Sequence, residues 1–115
     1  VVIPREQVGQ LLGEIVLTSK IITPNGDDEN DELEVFFNLL QLTKPTPVSM
    51  EIYDLSGRLL HTIFDEEKII GPAAHTWDGR GDDGRLLPPG HYLWLLRVRA
   101  DAFEERHTGV LGVAY

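Results

Sequence analysis

Glycine and proline recur at short intervals along this chain, and this punctuation constrains its fold more than any other feature. Eleven glycines and seven prolines occur in 115 residues. Proline removes a backbone donor and interrupts helices, whereas glycine permits the backbone conformations of tight turns. The segments between them are short and rich in Val, Ile, Leu and aromatic residues, which favour strands. The spacing therefore predicts an all-β domain, either a sandwich or a barrel.

Seven segments have the composition or the alternation expected of strands. The clearest is the segment with the longest alternation, where Tyr92, Trp94, Leu96 and Val98 alternate with the residues between them. Residues 65–68 are all charged, and we predict a polar connection there. The predicted strands are residues 14–22, 33–42, 48–53, 59–64, 73–77, 92–98 and 106–115. About seven strands match a two-sheet β-sandwich of the immunoglobulin or fibronectin-III kind.

The chain has the length of a single domain. We assign residues 14–115 to the sandwich and residues 1–13 to a linker or N-terminal extension. The first residues lack an initiator Met and lack the charged and apolar regions of a signal peptide, so we expect a piece of a longer protein. No run of about 18 apolar residues occurs, and no transmembrane helix is predicted.

The charge balance is acidic, with 19 acidic and 10 basic side chains and a net charge of −9 at pH 7. Nucleic acids and anionic membrane surfaces both need a basic face, so this balance argues against either as a partner. The excess of carboxylates is compatible with binding a hard cation, and it also promotes solubility without any ligand. The absence of cysteine excludes disulfides, thiolate nucleophiles and zinc sites built on sulfur.

Residues 23–31, Thr-Pro-Asn-Gly-Asp-Asp-Glu-Asn-Asp, concentrate oxygen-bearing side chains in one loop. Ca²⁺ takes about six to eight oxygen ligands, usually including several carboxylates on a flexible loop. The spacing does not match an EF-hand, because the glycine and the final glutamate are in the wrong places. Asn-Gly and Asp-rich stretches also form turns without metal, so a calcium site and a metal-free turn both remain open. The candidate calcium ligands are Asn25, Asp27, Glu29, Asn30 and Asp31.

Three further segments have the composition of turns. Residues 55–58 form a predicted hairpin turn in which glycine supplies a positive φ. Trp77 is predicted to close one end of the core, and Asp78 to bond the amides of the glycine-rich turn that follows it. Tyr92 is predicted to bond back to the preceding loop, as corner tyrosines do in sandwiches. The residues assigned structural roles in these motifs are Asp54, Gly57, Trp77, Asp78, Gly79, Gly84, Pro89, Gly90 and Tyr92.

Three motifs in a fixed order resemble the immunoglobulin-like domain of flagellar hook-cap proteins. They are the acidic segment 23–31, Ile-Tyr-Asp-Leu-Ser-Gly-Arg at 52–58, and the segment 77–92, which begins Trp-Asp-Gly-Arg and ends Pro-Pro-Gly-His-Tyr. The same pattern recurs at the C-termini of many large secreted bacterial proteins, including gliding-motility and type IX sorting-type domains. Asp28 departs from the pattern, since the family usually has glycine there.

The resemblance implies a non-catalytic module of a secreted or cell-surface bacterial protein. Its location would be extracellular or at the cell surface, and calcium would stabilise it if the acidic loop binds the ion. Its partner would be a protein: a neighbouring domain, a surface assembly or the secretion machinery. The hook-assembly activity itself is not implied, because the resemblance covers this domain alone.

No residues of this chain have the spacing of a catalytic site. The serines lie in no recognisable nucleophile turn, and the four histidines lack metal-ligand spacing. We therefore predict that the domain is not an enzyme. A structural, assembly or sorting role is the first interpretation, and a ligand- or carbohydrate-binding accessory module of an extracellular enzyme is the alternative. A planar carbohydrate site needs exposed aromatic side chains. Leu93 and Leu95 lie on the second face of the predicted strand 92–98, and their exposure would instead indicate a protein interface.

Overall fold

The computed structural model describes residues 11–18, 21–23, 31–40, 42–100 and 104–114. Within these ranges every regular element is a strand, and no helix is long and apolar enough to span a bilayer. The strands are β1 (Leu12–Leu17), β2 (Ile21–Ile22), β3 (Leu33–Leu39), β4 (Thr46–Tyr53), β5 (Leu59–Lys68), β6 (Gly71–Trp77), β7 (Gly90–Arg99) and β8 (Glu104–Val113).

The strands form two sheets that pack as a sandwich. The smaller sheet has the order β1-β3-β6, and the larger has the order β2-β8-β7-β4-β5. This arrangement confirms the predicted immunoglobulin-like β-sandwich. The described residues form eight strands and not seven, because the predicted first strand is divided into β1 and the two-residue β2. Between the described strands, all pairings are antiparallel except that of β2 with β8, which is parallel.

The core lies between the two sheets and is built from alternate residues of most strands. β3 alternates strictly between buried and exposed positions along its whole length. This period of two places one side of the strand against the opposite sheet and the other side in solvent. The largest fully buried side chains are Leu12, Ile22, Leu33, Val35, Leu39, Val48, Met50, Ile52, Leu96, Val98 and Leu111.

The predicted first strand, residues 14–22, is two strands that belong to different sheets. β1 pairs with β3, whereas β2 pairs with β8. The backbone N–H of Thr18 still donates to the carbonyl of Glu34, so the crossing to the other sheet follows residue 18. Leu11 and Leu12 are buried in the core, two to three residues before the boundary expected at residue 14. Apolar residues recur on both sides of the crossing, and the sequence pattern therefore hid the change of sheet.

The predicted polar connection at 65–68 is wrong, because these residues form the last four residues of β5. They continue the ladder with β4, in which Thr46 pairs with Lys68 and Met50 with Phe64. β5 is the edge strand of its sheet. An edge strand is solvated on more sides than a central one, so charged side chains are tolerated there and even protect the edge.

Aromatic rings close the side of the sandwich where β5 and β6 lie. The ring of His75 stacks on Phe64 with centroids 3.8 Å apart, and Phe37 stacks on Phe64 at 5.8 Å. Burial lowers the pKa of His75, the nearby Lys68 lowers it further, and the Glu66 carboxylate opposes both effects. His75 therefore belongs in this stack as the neutral imidazole.

Candidate functional site

Leu93 and Leu95 lie on the outer face of the five-stranded sheet, which is turned away from the three-stranded sheet. Leu93 pairs with Tyr53 on β4 and with Val110 on β8. Leu95 pairs with Glu51 on β4 and with Thr108 on β8. Both leucines are half-buried, and Val110 is 53% exposed. The residues of β7 that alternate with them, among them Leu96, belong to the core. The part of this outer face around Leu93 and Val110 is therefore apolar and partly accessible.

Toward the C-terminal end of β7, the same face carries a cluster of charged side chains. The Arg97 guanidinium donates through Nη2 to Oε1 of Glu51 at 2.7 Å, and the Tyr53 hydroxyl donates to the same oxygen at 3.0 Å. Burial raises the pKa of Tyr53, and its hydrogen bond to the Glu51 carboxylate adds to that rise. The Glu104 carboxylate lies 3.7–3.8 Å from the guanidinium nitrogens of Arg97, Arg99 and Arg106.

This cluster makes one part of an acidic protein locally basic. Three arginines share two glutamates, and the side chains of Arg99 and Arg106 are 49% and 63% exposed. Their distances to Glu104 are longer than those of hydrogen bonds, so their donors remain available to another acceptor. Apolar side chains beside exposed guanidinium groups are typical of protein–protein interfaces, in which arginine is enriched.

Asp54 organises the hairpin turn between β4 and β5. Its Oδ1 accepts hydrogen bonds from the Ser56 hydroxyl at 2.6 Å, from the Arg58 N–H at 2.9 Å and from the Ser56 N–H at 3.0 Å. The bond from the Ser56 hydroxyl, followed by that from the Arg58 amide, lowers the pKa of Asp54. Gly57 has a φ of 93°, which favours glycine at that position. In the structure, Asp54 and Gly57 both belong to this turn.

The segment 77–85 folds as a compact loop around a buried tryptophan. Trp77 is 3% exposed, its indole N–H donates to the carbonyl of Arg80 at 2.9 Å, and its ring stacks on His61. The Asp78 carboxylate accepts from the Arg80 amide at 3.2 Å. Positive φ angles of 86° and 81° occur at Gly79 and Gly84. These contacts are internal to the domain and give the loop a structural role.

The corner before β7 is held by a tyrosine. The buried Tyr92 donates its hydroxyl hydrogen bond to the carbonyl of Pro88. Pro89 is exposed, and Gly90 is the first residue of β7, paired with Val113. The corner therefore fixes where β7 begins, and with it the position of Leu93 and Leu95.

The predicted calcium ligands are only partly within the described residues. Asn25, Asp27, Glu29 and Asn30 lie outside them, and Asp31 is half-buried at the bend before β3. Among the residues that are described, no group of three or more His, Asp or Glu side chains is placed to hold a metal ion. Calcium binding by the acidic loop stays a prediction.

Comparison with known families identifies the domain. Residues 16–113 match the CHU_C type IX secretion signal domain. The chain belongs to this family. The match confirms the resemblance carried by the three motifs, and it confirms a location at the cell surface or in the extracellular space. A type IX secretion signal domain is a non-enzymatic sorting module.

Two solved structures share the fold of this secretion signal domain. Dimeric latent PorU from Porphyromonas gingivalis is 19% identical with a TM-score of 0.65, over 86% of this chain and 9% of the PorU chain. FLGD from P. aeruginosa is 17% identical with a TM-score of 0.54, over 89% of this chain and 70% of the FLGD chain. At these identities the likeness shows the fold alone. No curated protein matches the sequence.

The charge cluster on the outer face was missed by the sequence reasoning. The sequence indicated the cluster in part, because Arg97 and Arg99 continue the two-residue alternation of Leu93 and Leu95 along β7. The partners Glu51 and Glu104 come from two other strands, and only the register of the sheet brings them beside the arginines.

Proposed function

We propose that the type IX secretion machinery recognises this sorting domain through the outer face of its five-stranded sheet. The observation that carries the proposal is the apolar patch around Leu93 and Leu95, which continues directly into the arginine cluster. β7 is flanked on both sides by long paired strands, so this face is rigid before any partner binds. A preformed surface loses little conformational entropy on binding.

Charge supports a protein as the partner. An apolar centre with guanidinium groups at its rim complements a partner surface that carries apolar side chains and carboxylates. Arg99 and Arg106 would steer such a surface, and Leu93 and Leu95 would bury against it. A neighbouring domain or a surface assembly could use the same face, but the family membership favours the secretion machinery as the first partner.

The carbohydrate-binding alternative has less support. Sugars bind flat, exposed aromatic platforms, whereas Trp77 and Tyr92 are buried and Tyr53 and Trp94 are half-buried. Phe36, on the outer face of the three-stranded sheet, is the one exposed Phe, Tyr or Trp in the described part of the chain, at 41%. A single ring does not form a stacking platform.

The test is secretion of a reporter fused to the N-terminus of the domain, in a bacterium that has a type IX secretion system. We expect secretion with the wild-type domain and a strong loss with Leu95→Glu, because a charge would be placed in the apolar patch. Phe36→Glu is the matched control, since it puts the same charge on an exposed apolar site of the other sheet. Circular dichroism and thermal unfolding of each purified variant establish that it is folded.

The outcomes separate the sorting role from the surface. A wild-type fusion that stays inside the cell would refute the sorting role. Secretion that survives Leu95→Glu in a folded domain would refute the outer face as the recognition surface and leave the sorting role standing. Equal losses in both variants would likewise refute recognition by this face.

A further inference from the structure

On the side of the sandwich opposite the aromatic stack, one sheet edge has no partner strand among the described residues along most of its length. β7 pairs with one edge of β8 along all ten residues, whereas β2 pairs with the other edge only at Gly112 and Val113. Thr18 is still bonded to Glu34 in the three-stranded sheet. Within the described residues, therefore, no strand pairs with this edge of β8 before Gly112.

The backbone groups that face the open edge can be identified from the register. The N–H of Ala114 donates to the carbonyl of Ile22 at 3.0 Å, so residue 114 points its backbone groups toward β2. The ladder of β8 with β7 has no bulge, and backbone groups alternate in direction along a strand. The residues that point the same way as Ala114 are Gly112, Val110, Thr108 and Arg106. The residues between them bond to β7.

A groove of about 790 Å³ runs beside this edge, between β8 and β1. Ile15 and Leu17 line it from β1, and Leu111 lines it from β8. Trp94 lies against Gly109 in the groove, because a methyl group added at Gly109 would come within 2.5–2.6 Å of three indole atoms. No Asp, Glu, Lys or Arg is among the described residues that line the groove.

We propose that this edge of β8 binds an extended peptide segment of a partner protein by strand addition. The segment pairs with the backbone groups of Thr108 and Val110 and places alternate apolar side chains over Trp94. Strand addition gains affinity from main-chain hydrogen bonds and specificity from pockets for alternate side chains, and both are present here. The bound segment lies in line with β2, which already extends the same sheet edge.

The domain's own chain limits the length of the site. At one end the Glu105 carboxylate accepts hydrogen bonds from the amides of Leu11 and Leu12 at 2.8 and 3.0 Å. At the other end Ile21 pairs with Gly112. The open stretch is residues 106–111, which corresponds to a strand of roughly 20 Å.

The occupant is a partner segment and not a second copy of β8. The residues of β8 that face inward along the open stretch are His107, Gly109 and Leu111. A second β8 would bring glycine to the middle of the groove and leave most of it empty, which forfeits the contacts that a filled groove supplies. A segment with large apolar side chains at alternate positions fills it. Proline and charged residues are the usual protection of an exposed edge, and Arg106 alone provides it here.

This inference goes beyond the sorting role, because it rests on the backbone edge of β8 and the groove beside it and not on the outward side chains of Leu93 and Leu95. Either site can therefore fail without the other. The first experiment selects binders to the domain from a phage-displayed random library of peptides of about ten residues, a length that spans the open stretch. We expect enriched sequences in which apolar and polar residues alternate. The best synthetic peptide then serves as the probe in fluorescence anisotropy.

Thr108→Pro is the decisive variant. Proline removes the N–H that faces the open edge while the ladder to β7 keeps its bonds, and such edge positions tolerate proline. Loss of the edge hydrogen bonds should weaken probe binding by about tenfold or more. Thr108→Val is the matched control, because it keeps the N–H and should bind the probe with unchanged affinity.

Two measurements keep the test decisive even if the proline variant does not fold. N-methylation of alternate amides in the probe should abolish binding for one set of positions and spare the other. Hydrogen exchange should show that the probe protects the Thr108 and Val110 amides. The proposal is wrong if no peptide prefers the wild-type domain, if both methylation patterns act equally, or if the domain dimerises through β8, since the occupant would then be a second copy.

Discussion

The replacement Gly109→Ala tests the close contact between the Trp94 indole ring and the backbone of β8 at Gly109. The added methyl group would lie 2.5 Å from Nε1 and 2.6 Å from two carbon atoms of the indole. The ring is rigid, so the clash is relieved only if the whole side chain rotates away from β8 or the strands separate. Overpacking of this kind costs about 1–3 kcal/mol.

An opposing effect reduces the net change. Alanine restricts the unfolded chain more than glycine does, which stabilises the folded state by about 0.4–1 kcal/mol where the backbone conformation permits it. The net loss of unfolding free energy is therefore about 1–2 kcal/mol. For a domain of this size that corresponds to a decrease in Tm of roughly 4–8 °C.

Urea denaturation followed by tryptophan fluorescence measures the change and reports the environment of Trp94 at the same time. Gly13→Ala is the control, because a methyl group there would lie 3.4 Å from the end of the Leu40 side chain, an ordinary contact. We expect Gly13→Ala to be neutral or slightly stabilising. A Gly109→Ala domain as stable as the wild type, with an unchanged emission spectrum, would refute the close contact between Trp94 and Gly109.

Three further predictions follow from single groups. Burial lowers the pKa of His75, so the stability that its neutral ring contributes is present above the unfolded pKa of 6.5 and is lost as pH falls through the lower folded value. Urea midpoints measured between pH 7.5 and 5 should therefore fall less in His75→Phe than in the wild type. Parallel curves for the two proteins would contradict this. The buried Ser49 hydroxyl has no hydrogen-bond partner in the described part of the chain, so Ser49→Ala should leave stability unchanged or raise it by up to about 1 kcal/mol in the same assay, whereas a clear loss would indicate a partner for that oxygen. If the acidic loop binds calcium, the Tm should rise with Ca²⁺ over excess chelator and the rise should vanish in Asp27→Ala, whereas equal melting curves would refute the site.

The two proposed surfaces differ in the chemical groups through which they would bind a partner. The outer face around Leu93 offers side chains, and its affinity would depend on salt because arginines border it. The open edge of β8 offers backbone groups and an uncharged groove, so binding there should depend little on salt. Ionic strength therefore distinguishes which surface a natural partner uses.

Turn chemistry was readable from the sequence because it is local. The carboxylate of Asp54, the glycine that follows it and the amide of Arg58 lie within five residues, and their contacts follow from the order of the residues alone. The same holds for the loop after Trp77. The spacing of the strand segments predicted the sandwich, and these two local motifs together with the acidic segment 23–31 predicted the family.

Strand pairing was decided only by the tertiary structure. A two-residue alternation shows which side of a strand is apolar, but not which sheet the strand joins, and so β1 and β2 were predicted as one strand. Residues 65–68 form the last four residues of β5 because β4 supplies a partner for their backbone groups, although their charges alone predict a connection. The contacts of Arg97 with Glu51 and of Trp94 with Gly109 likewise depend on register between distant segments, which local sequence does not determine.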